Sequence, residues 1–327
     1  MVSTSVPVFV ISIDFEMFWG VSDVKSIKNY GANVEGVWQA VPAMLALMKK
    51  YDVQATWATV GMLMCKDYQQ WHEMRPSVVP AYECESRSTY SAAELARKYP
   101  RLFFSRPLVE HILATEGQEL ASHTYSHFYC GEPGVTVEQF AADMECQQTI
   151  FYEYGIKPTS LVFPRNQARA EYISIASANG ITAYRGNPDH WLYRDGHFVP
   201  FGLLGRVVRR ADSYLPLSGN HISYSDQCGE ISESVNISAS CYLRPSTGIR
   251  NLDSLFLNRV KQGMQQAART GGIFHLWWHP HDFGINLGRN LENLESLLQL
   301  YQLLAEKHGM RSVTMADIAR AERSDKN

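Results

Sequence analysis

The chain has 327 residues, of which 45% are hydrophobic and 19% are charged, and its formal net charge at pH 7 is −3. This composition supports a sizeable core and excludes global disorder, and no basic stripe of the kind that binds nucleic acid is visible. No apolar run reaches the roughly 18 residues that span a bilayer, and residues 1–7 lack the charged and apolar regions of a secretory signal.

The six cysteines are scattered along the chain and form no CxxC pair. In a long chain without a secretory signal, such cysteines are expected to be reduced thiols. We therefore expect a cytoplasmic protein without a disulfide framework. The cysteines are Cys65, Cys84, Cys130, Cys146, Cys228 and Cys241.

Short β-branched runs alternate with helical periodicity along the first part of the chain. The first predicted helix ends in two lysines, which suit a helix C-terminus. The segment 65–105 is polar, aromatic and interrupted by prolines, so it predicts a long loop or an insertion. The predicted strands here are 7–13, 55–60 and 118–122, and the predicted helices are 37–51 and 108–116.

The same alternation continues to the end of the chain. Thr136 is a plausible N-cap for a long helix, and Gly155 is typical of the residue after a helix. The segment 185–248 has no clear period and is left unassigned. The predicted helices are 136–154, 169–179, 252–269 and 291–308, the predicted strands are 160–163, 181–184 and 272–278, and a short strand and a helical tail follow.

Strands that alternate with helices predict a parallel sheet with right-handed crossovers. Because no repeat or low-complexity linker divides the chain, we expect one α/β domain over 1–327, with insertions near 65–105 and 186–248. A barrel is favoured, although periodicity alone does not separate a closed barrel from an open doubly wound sheet. The lack of a GxGxxG or Walker motif disfavours a nucleotide-binding open sheet.

Two histidines, His123 and His127, lie four residues apart just after the third predicted strand. An i, i+4 pair projects from one side of a helical turn, and two neutral imidazoles form half of a ligand set for a zinc-like cation. Such a pair is usually two unrelated histidines. Its position after a strand favours a site here, because functional residues of parallel α/β proteins gather where strands end.

Two carboxylates follow the first predicted strand. Asp14 and Glu16 are two residues apart, so they point to the same face of a strand. Two histidines and one carboxylate are a ligand composition of hydrolytic metal sites, and the second carboxylate could act as a base.

Four short motifs occur in order across nearly the whole chain. They are SIDFE at 12–16, HTYSH at 123–127, FPR at 163–165 and WWHP at 277–280. This pattern resembles the polysaccharide deacetylase family, also called the NodB-homology domain or carbohydrate esterase family four. The resemblance implies a distorted (β/α) barrel of about seven parallel strands, spanning 1–327 as one polysaccharide-deacetylase-like domain. It also implies a metal-dependent hydrolase of N-acylated sugars, with Zn²⁺ as the first candidate ion.

The resemblance assigns roles to six residues. It implies that Glu16, His123 and His127 bind the metal, Asp14 is the general base, His279 is the general acid and Arg165 orients the base. Two motifs depart from the common pattern. Phe15 separates the two acids of the first motif, as in a D-x-E branch of the family, and the third motif has Pro164 before the arginine.

Alternative functions remain open at this stage. The amide could belong to an N-formyl sugar or to a linear or cyclic compound that is not a sugar. The protein could also be a catalytically silent sugar-binding relative. A zinc protease is disfavoured, because Thr124 stands where the HExxH motif has glutamate.

The expected location bears on the substrate. A cytoplasmic enzyme does not reach a mature cell wall, so we expect a nucleotide-linked or lipid-linked precursor of a surface polysaccharide. Neither a nucleic-acid partner nor a transmembrane segment is expected, and the sequence does not indicate the oligomeric state. Among the remaining candidates, His275 is expected in the core, and one of Trp277 and Trp278 could stack on a sugar. His281 and Asp282 could contact the substrate.

Overall fold

The computed structural model describes residues 6–194, 202–224, 230–232 and 234–324. Ten strands of these residues join in a single sheet. They are β1 (Val8–Phe15), β2 (Ala55–Thr59), β3 (Gln118–Ser122), β4 (Ser160–Val162), β5 (Ala183–Arg185), β6 (Glu230–Ile231), β7 (Ser234–Asn236), β8 (Cys241–Tyr242), β9 (Ile273–Trp278) and β10 (Arg311–Val313).

Helices flank this sheet. Those in the first half are α1 (Ile27–Glu35), α2 (Val37–Lys50), α3 (Gly61–Met64), α4 (Tyr68–Glu73), α5 (Ala93–Lys98), α6 (Arg106–Leu113) and α7 (Val137–Glu153). Those in the second half are α8 (Ala170–Ala178), α9 (Gly202–Asp212), α10 (Arg250–Thr270), α11 (Pro280–Phe283), α12 (Leu287–His308) and α13 (Met315–Ser324).

Eight of the strands pair in parallel, in the order β7-β5-β4-β3-β2-β1-β9-β8. The short segment 237–240 joins β7 at one end of this series to β8 at the other. Its Ile237 N–H donates to Tyr184 O on one side, and its Ser240 N–H donates to His275 O on the other side. The sheet is therefore curled until its two ends meet, and the predicted distorted (β/α) barrel is confirmed.

The strand β1 shows how the barrel is filled. Its residues alternate, so Phe9, Ile11, Ile13 and Phe15 belong to the large apolar cluster shared with the helices. Val10 points the other way, into a second cluster that includes Met315 and Ile318 of α13. Ser12 and Asp14 lie on the same face as Val10. The barrel interior is therefore apolar near α13 and polar towards the C-terminal end of β1.

The segment 65–105, predicted as a loop or insertion, contains α4, α5 and several short 3-10 turns. Its aromatic residues are packed, since Trp19 contacts the rings of Trp71 and Phe103 at centroid distances of 5.4 and 4.6 Å. Proline interruptions and short helices hide the helical period here. The segment thus extends the core beside the residues that follow β1.

Periodicity predicted most long elements, including α7 with Thr136 as its N-cap. It missed α1, and it left unassigned the segment that contains α9 and the strands β6 to β8. Strands of two or three residues are too short to show an alternating pattern. Parts of this segment, 195–201, 225–229 and Glu233, lie outside the described residues.

The described residues form neither a membrane-spanning helix nor a disulfide. Among the described residues, no helix combines the length and the apolar character that crossing a membrane requires. The described cysteines, Cys65, Cys84, Cys130, Cys146 and Cys241, are all unpaired. Cys228 lies outside the described residues.

Candidate active site

The C-terminal end of β1 delivers two buried carboxylates, Asp14 and Glu16, which are 3% and 4% exposed. The chain then turns so that Gly20 lies directly against Glu16. A Cβ atom at Gly20 would lie 2.1 Å from the Cδ of Glu16. A glycine is therefore required at this position for the Glu16 carboxylate to keep its place.

The loop after β3 brings His123 and His127 to the same carboxylate. Their Nε2 atoms lie 3.5 and 3.0 Å from Glu16 Oε2, and the two rings are 5.0 Å apart. The expectation that the pair projects from a helical turn was wrong. Thr124 and His127 have φ angles of +62° and +55°, so the segment is an irregular loop that folds back on itself.

This cluster meets the requirements of a divalent cation site. The ligand atoms of Glu16, His123 and His127 all lie within 4.8 Å of one another, and the three side chains are buried. His123 Nδ1 is 2.7 Å from Val162 O, so this nitrogen carries the proton and the Nε2 lone pair faces Glu16. Two imidazoles and a carboxylate suit Zn²⁺ and leave room for further ligands.

Asp143 of α7, which the sequence did not single out, supports the loop between the histidines. Its carboxylate accepts hydrogen bonds from the backbone N–H groups of Tyr125 and Ser126, at 2.7 and 3.0 Å, and from the Ser126 hydroxyl. Burial raises the pKa of Asp143 to about 6, against the effect of these hydrogen bonds. The side chain thus acts by positioning the histidines.

We expect Asp143→Ala to lower the free energy of unfolding by about 2–4 kcal/mol, because it leaves buried donors without an acceptor. We also expect metal affinity to fall by about 10- to 100-fold, as for other residues that hold ligands in place. Urea unfolding and a metal titration measure the two effects. Glu145→Gln, on the exposed side of the same helix, is the control. Unchanged metal affinity in Asp143→Ala would show that the loop keeps its conformation without Asp143.

Asp14 is held by an arginine at the end of β5. Arg185 donates from Nη1 and Nη2 to the two Asp14 oxygens, both at 2.7 Å, and it also donates to Ser12 Oγ at 2.9 Å. His275, fully buried as expected, contacts the same Ser12 hydroxyl. Burial alone would raise the pKa of Asp14, but Arg185 lowers it below its usual value. Asp14 is therefore an ionised, oriented carboxylate.

Arg165, which was expected to orient Asp14, lines the same cavity as Asp14 but pairs with other carboxylates. Its guanidinium pairs with Asp23 and with Glu132, the latter at 3.0 Å, and stacks on the Tyr129 ring at 3.9 Å. Arg165 has a φ of +55° in the turn after β4, which directs its side chain away from Asp14. The contact predicted for Arg165 is made by Arg185.

These two arginines give a matched comparison. We expect Arg185→Lys to lower kcat by about tenfold or more, since lysine loses the two-pronged hydrogen bond that holds Asp14. Arg165→Lys should change kcat by less than about threefold, because lysine keeps the charge beside Asp23 and Glu132 and Arg165 forms no ion pair with Asp14. Steady-state kinetics with a melting temperature for each variant test this. A larger kcat loss in Arg165→Lys would return the orienting role to that residue.

His279 follows β9 and faces both carboxylates of the β1 end. Its Nε2 lies 3.9 Å from Asp14 Oδ2 and 3.9 Å from Glu16 Oε1, and its Nδ1 is 3.0 Å from Asp282 Oδ2. Burial alone would lower the pKa of His279, but Glu16 and Asp282 raise it to about 9. A cation bound at Glu16 would offset the contribution of that carboxylate, and the direct Asp282 contact would remain.

A further histidine, His281, lies closer to the cluster than the sequence indicated. Its ring stacks on His279 at 4.8 Å, and its Nε2 is 3.8 Å from Glu16 Oε1. A second cluster could also hold a cation, since its ligand atoms lie within 4.8 Å of one another; its members are Glu16, His279 and His281. Burial and then the charge of His279 lower the pKa of His281. Glu16 thus lies between two pairs of imidazoles.

A cavity of about 360 Å³ is lined at one end by Asp14, Glu16, His123, His127 and His279. Trp277 lines its wall, whereas Trp278 is fully buried and packs in the core. The other end is lined by residues of α9 and of the segments before and after it, of the segment after β8 and of α10. The residues there are Tyr193, Arg209, Ser213, His221, Arg244, Phe256 and Arg259.

Fold and site together define a curled α/β barrel with a carboxylate–histidine cluster at the C-terminal ends of its strands. A sequence model of the family described as polysaccharide deacetylase matches residues 35–184, which include the histidine loop. This match confirms the predicted resemblance to the polysaccharide deacetylase family. The assignment to a D-x-E branch remains a prediction. A comparison with curated protein sequences gave no significant match.

Solved structures share the fold at low sequence identity. A Mycobacterium smegmatis protein assigned to the polysaccharide deacetylases gives a TM-score of 0.58 at 12% identity, covering 100% of this chain and 96% of that chain. A Pseudomonas aeruginosa protein with the same assignment gives 0.56 at 14% identity, covering 97% and 90%. An allantoinase gives 0.51 at 12% identity, covering 97% and 89%. At these identities the likeness concerns the fold.

Proposed function

We propose that the protein is a metal-dependent hydrolase that removes an N-acyl group, with N-acetyl as the first candidate, from an amino sugar. One observation carries this proposal. His279, an imidazole with a raised pKa, lies 3.9 Å both from the ionised carboxylate of Asp14 and from the Glu16 carboxylate that the two loop histidines share. Hydrolysis of an amide needs such a base, such an acid and an electrophile between them.

Glu16, His123 and His127 would hold the cation. When bound, a divalent ion such as Zn²⁺ would polarise the acyl carbonyl and make a nearby water more acidic. These three side chains are buried, which would keep bulk water from competing with them for the ion. The identity of the ion follows only from the donor set, which is typical of zinc.

Asp14 would remove a proton from the attacking water. Its ion pair with Arg185 keeps the carboxylate unprotonated at neutral pH and fixes its direction. His279 would then protonate the leaving nitrogen, because its contact with Asp282 favours the imidazolium form. The products would be the carboxylic acid and the free amino sugar. Acid and base approach from strands β9 and β1, which are neighbours in the sheet.

The cavity size bears on the substrate. A volume of about 360 Å³ is near the lower end for small-molecule sites, which favours a short saccharide or one sugar of a longer chain. We propose an amino sugar of a surface polysaccharide or of its nucleotide-linked or lipid-linked precursor. The aromatic wall at Trp277 is suited to the apolar face of a sugar ring.

A substrate panel tests this function. Protein loaded with Zn²⁺ is incubated with N-acetyl sugars, N-formyl sugars and allantoin, and acetate, formate and ammonia are quantified. We expect acetate release that a chelator abolishes and that added Zn²⁺ restores. Formate or ammonia release would move the activity to another amide, and no turnover of any amide by protein with stoichiometric metal would favour a silent sugar-binding relative.

A further inference from the structure

The end of the cavity away from Asp14 and Glu16 carries an excess of positive charge. Arg259 of α10 is paired there with the buried carboxylate of Asp212, at 3.0 Å. The same carboxylate accepts a hydrogen bond from the Tyr193 hydroxyl. Arg259 Nε is buried and has no hydrogen-bond partner in the described part of the chain. Asp212 therefore balances one guanidinium and leaves little acceptor capacity for another.

A second guanidinium, that of Arg244, also lines the cavity. Its Nη2 donates to the Ser213 hydroxyl at 2.7 Å. No described carboxylate forms an ion pair with it, and Arg244 is half-buried. Burial lowers the pKa of Arg244, and the nearby charge of Arg210 lowers it further. A half-buried cation in this setting is stabilised when an anion binds beside it.

This guanidinium lies within reach of the reacting groups. The Tyr242 ring contacts both groups, with its centroid 5.7 Å from the His279 ring centroid and 5.8 Å from the Arg244 guanidinium. The distance between the His279 ring centroid and the Arg244 guanidinium is therefore at most the sum of these two distances. One pyranose ring with an anionic substituent can place its amide at His279 and its anion at Arg244.

We propose that Arg244, with Ser213 beside it, forms an anion subsite that binds a phosphate or carboxylate group carried next to the N-acylated sugar. Arginine suits this role because its planar donors match both anions in a two-pronged arrangement. The inference rests on the proposed function, since it takes the amino sugar to be the ligand of the catalytic end. It adds that the substrate is anionic near the amide.

Binding measurements with defined probes test the subsite without requiring turnover. The Zn²⁺-loaded protein is titrated calorimetrically with N-acetylglucosamine 1-phosphate, UDP-N-acetylglucosamine, a glucuronic acid–N-acetylglucosamine disaccharide and neutral methyl N-acetylglucosaminide. We expect at least one anionic probe to bind about tenfold or more tightly than the neutral one, with an affinity that falls as salt is added. The preferred probe identifies the anion as a phosphate ester, a diphosphate ester or a carboxylate.

Variants at Arg244 assign the effect to this residue. Arg244→Gln should weaken the preferred anionic probe by about 10- to 100-fold and leave the neutral probe within about threefold. Arg244→Lys should retain part of the difference, and Arg289→Gln, which removes an exposed guanidinium of α12, should retain all of it. In turnover assays, Arg244→Gln should raise KM for the anionic substrate with little change in kcat.

Equal binding of charged and neutral probes, or a folded Arg244→Gln variant that keeps the preference, would overturn the subsite. Melting temperatures establish that each variant is folded. The outcome is separable from that of the proposed function. Charge-dependent binding without amide hydrolysis would keep the subsite and reject the hydrolase, and hydrolysis without charge preference would do the reverse.

Discussion

Replacing Asp14 with asparagine should lower turnover by about 10²-fold or more while metal content stays the same. The amide keeps the size of the side chain but cannot accept a proton from water. Arg185 retains hydrogen bonds to Ser12 and Asn166 in the variant, which limits the structural damage. Single-turnover rates and elemental analysis of the purified protein measure the two properties.

The same fall is expected for His279→Ala, which removes the acid instead of the base. His111→Ala, at an exposed position on α6, is the control for loss of an imidazole. Full activity in either Asp14→Asn or His279→Ala, with metal bound, would remove that residue from the mechanism. A fall in both turnover and metal content would instead assign the residue to metal binding.

Replacing Glu16 with glutamine should abolish stoichiometric metal binding and, with it, activity. Glu16 supplies the only charge in the cluster with His123 and His127, and the neutral amide is a poor ligand for a divalent cation. Substitution of a residue that orients a ligand typically lowers metal affinity by about 10- to 100-fold, so the loss of a ligand itself should lower it further. Metal content after dialysis and a competition titration with a chelator give the affinity.

A second substitution tests the same site without changing a ligand. Gly20→Ala would place a methyl group where the Glu16 carboxylate lies, so it should also reduce metal affinity strongly. Glu94→Gln, at an exposed position, is the control for loss of a carboxylate. If Glu16→Gln kept one tightly bound ion per chain, the cluster of Glu16 and the loop histidines would not be the metal site.

Arg185 and Arg165 show where sequence reasoning reached its limit. Arg185 ends β5 and Arg165 follows β4, so either position can present a side chain to the end of β1. The sequence motif favoured Arg165. The choice depends on the left-handed turn at Arg165 and on the curvature that brings β5 across the barrel from β1, and neither property is encoded in a local pattern.

The histidine loop illustrates a related point. The spacing of His123 and His127 predicted a shared ligand role, and the structure brings both to Glu16. The predicted helical turn was wrong, because two left-handed residues and the Asp143 hydrogen bonds shape the loop instead. Asp143 was not identified, and Asp282 was expected to contact the substrate, whereas it holds His279. Buried acids that position other residues have no distinctive sequence signal.

By itself, the sequence determined the order of most strands and helices outside 185–248 and the motif residues that stand at the strand ends. These follow from local periodicity, which alternates every two residues in strands and repeats every 3.6 residues in helices. Only the tertiary structure decided that the sheet curls until β7 and β8 meet, and that Asp14 pairs with an arginine 171 residues away. Such contacts depend on the packing of distant segments, so no short stretch of the chain specifies them.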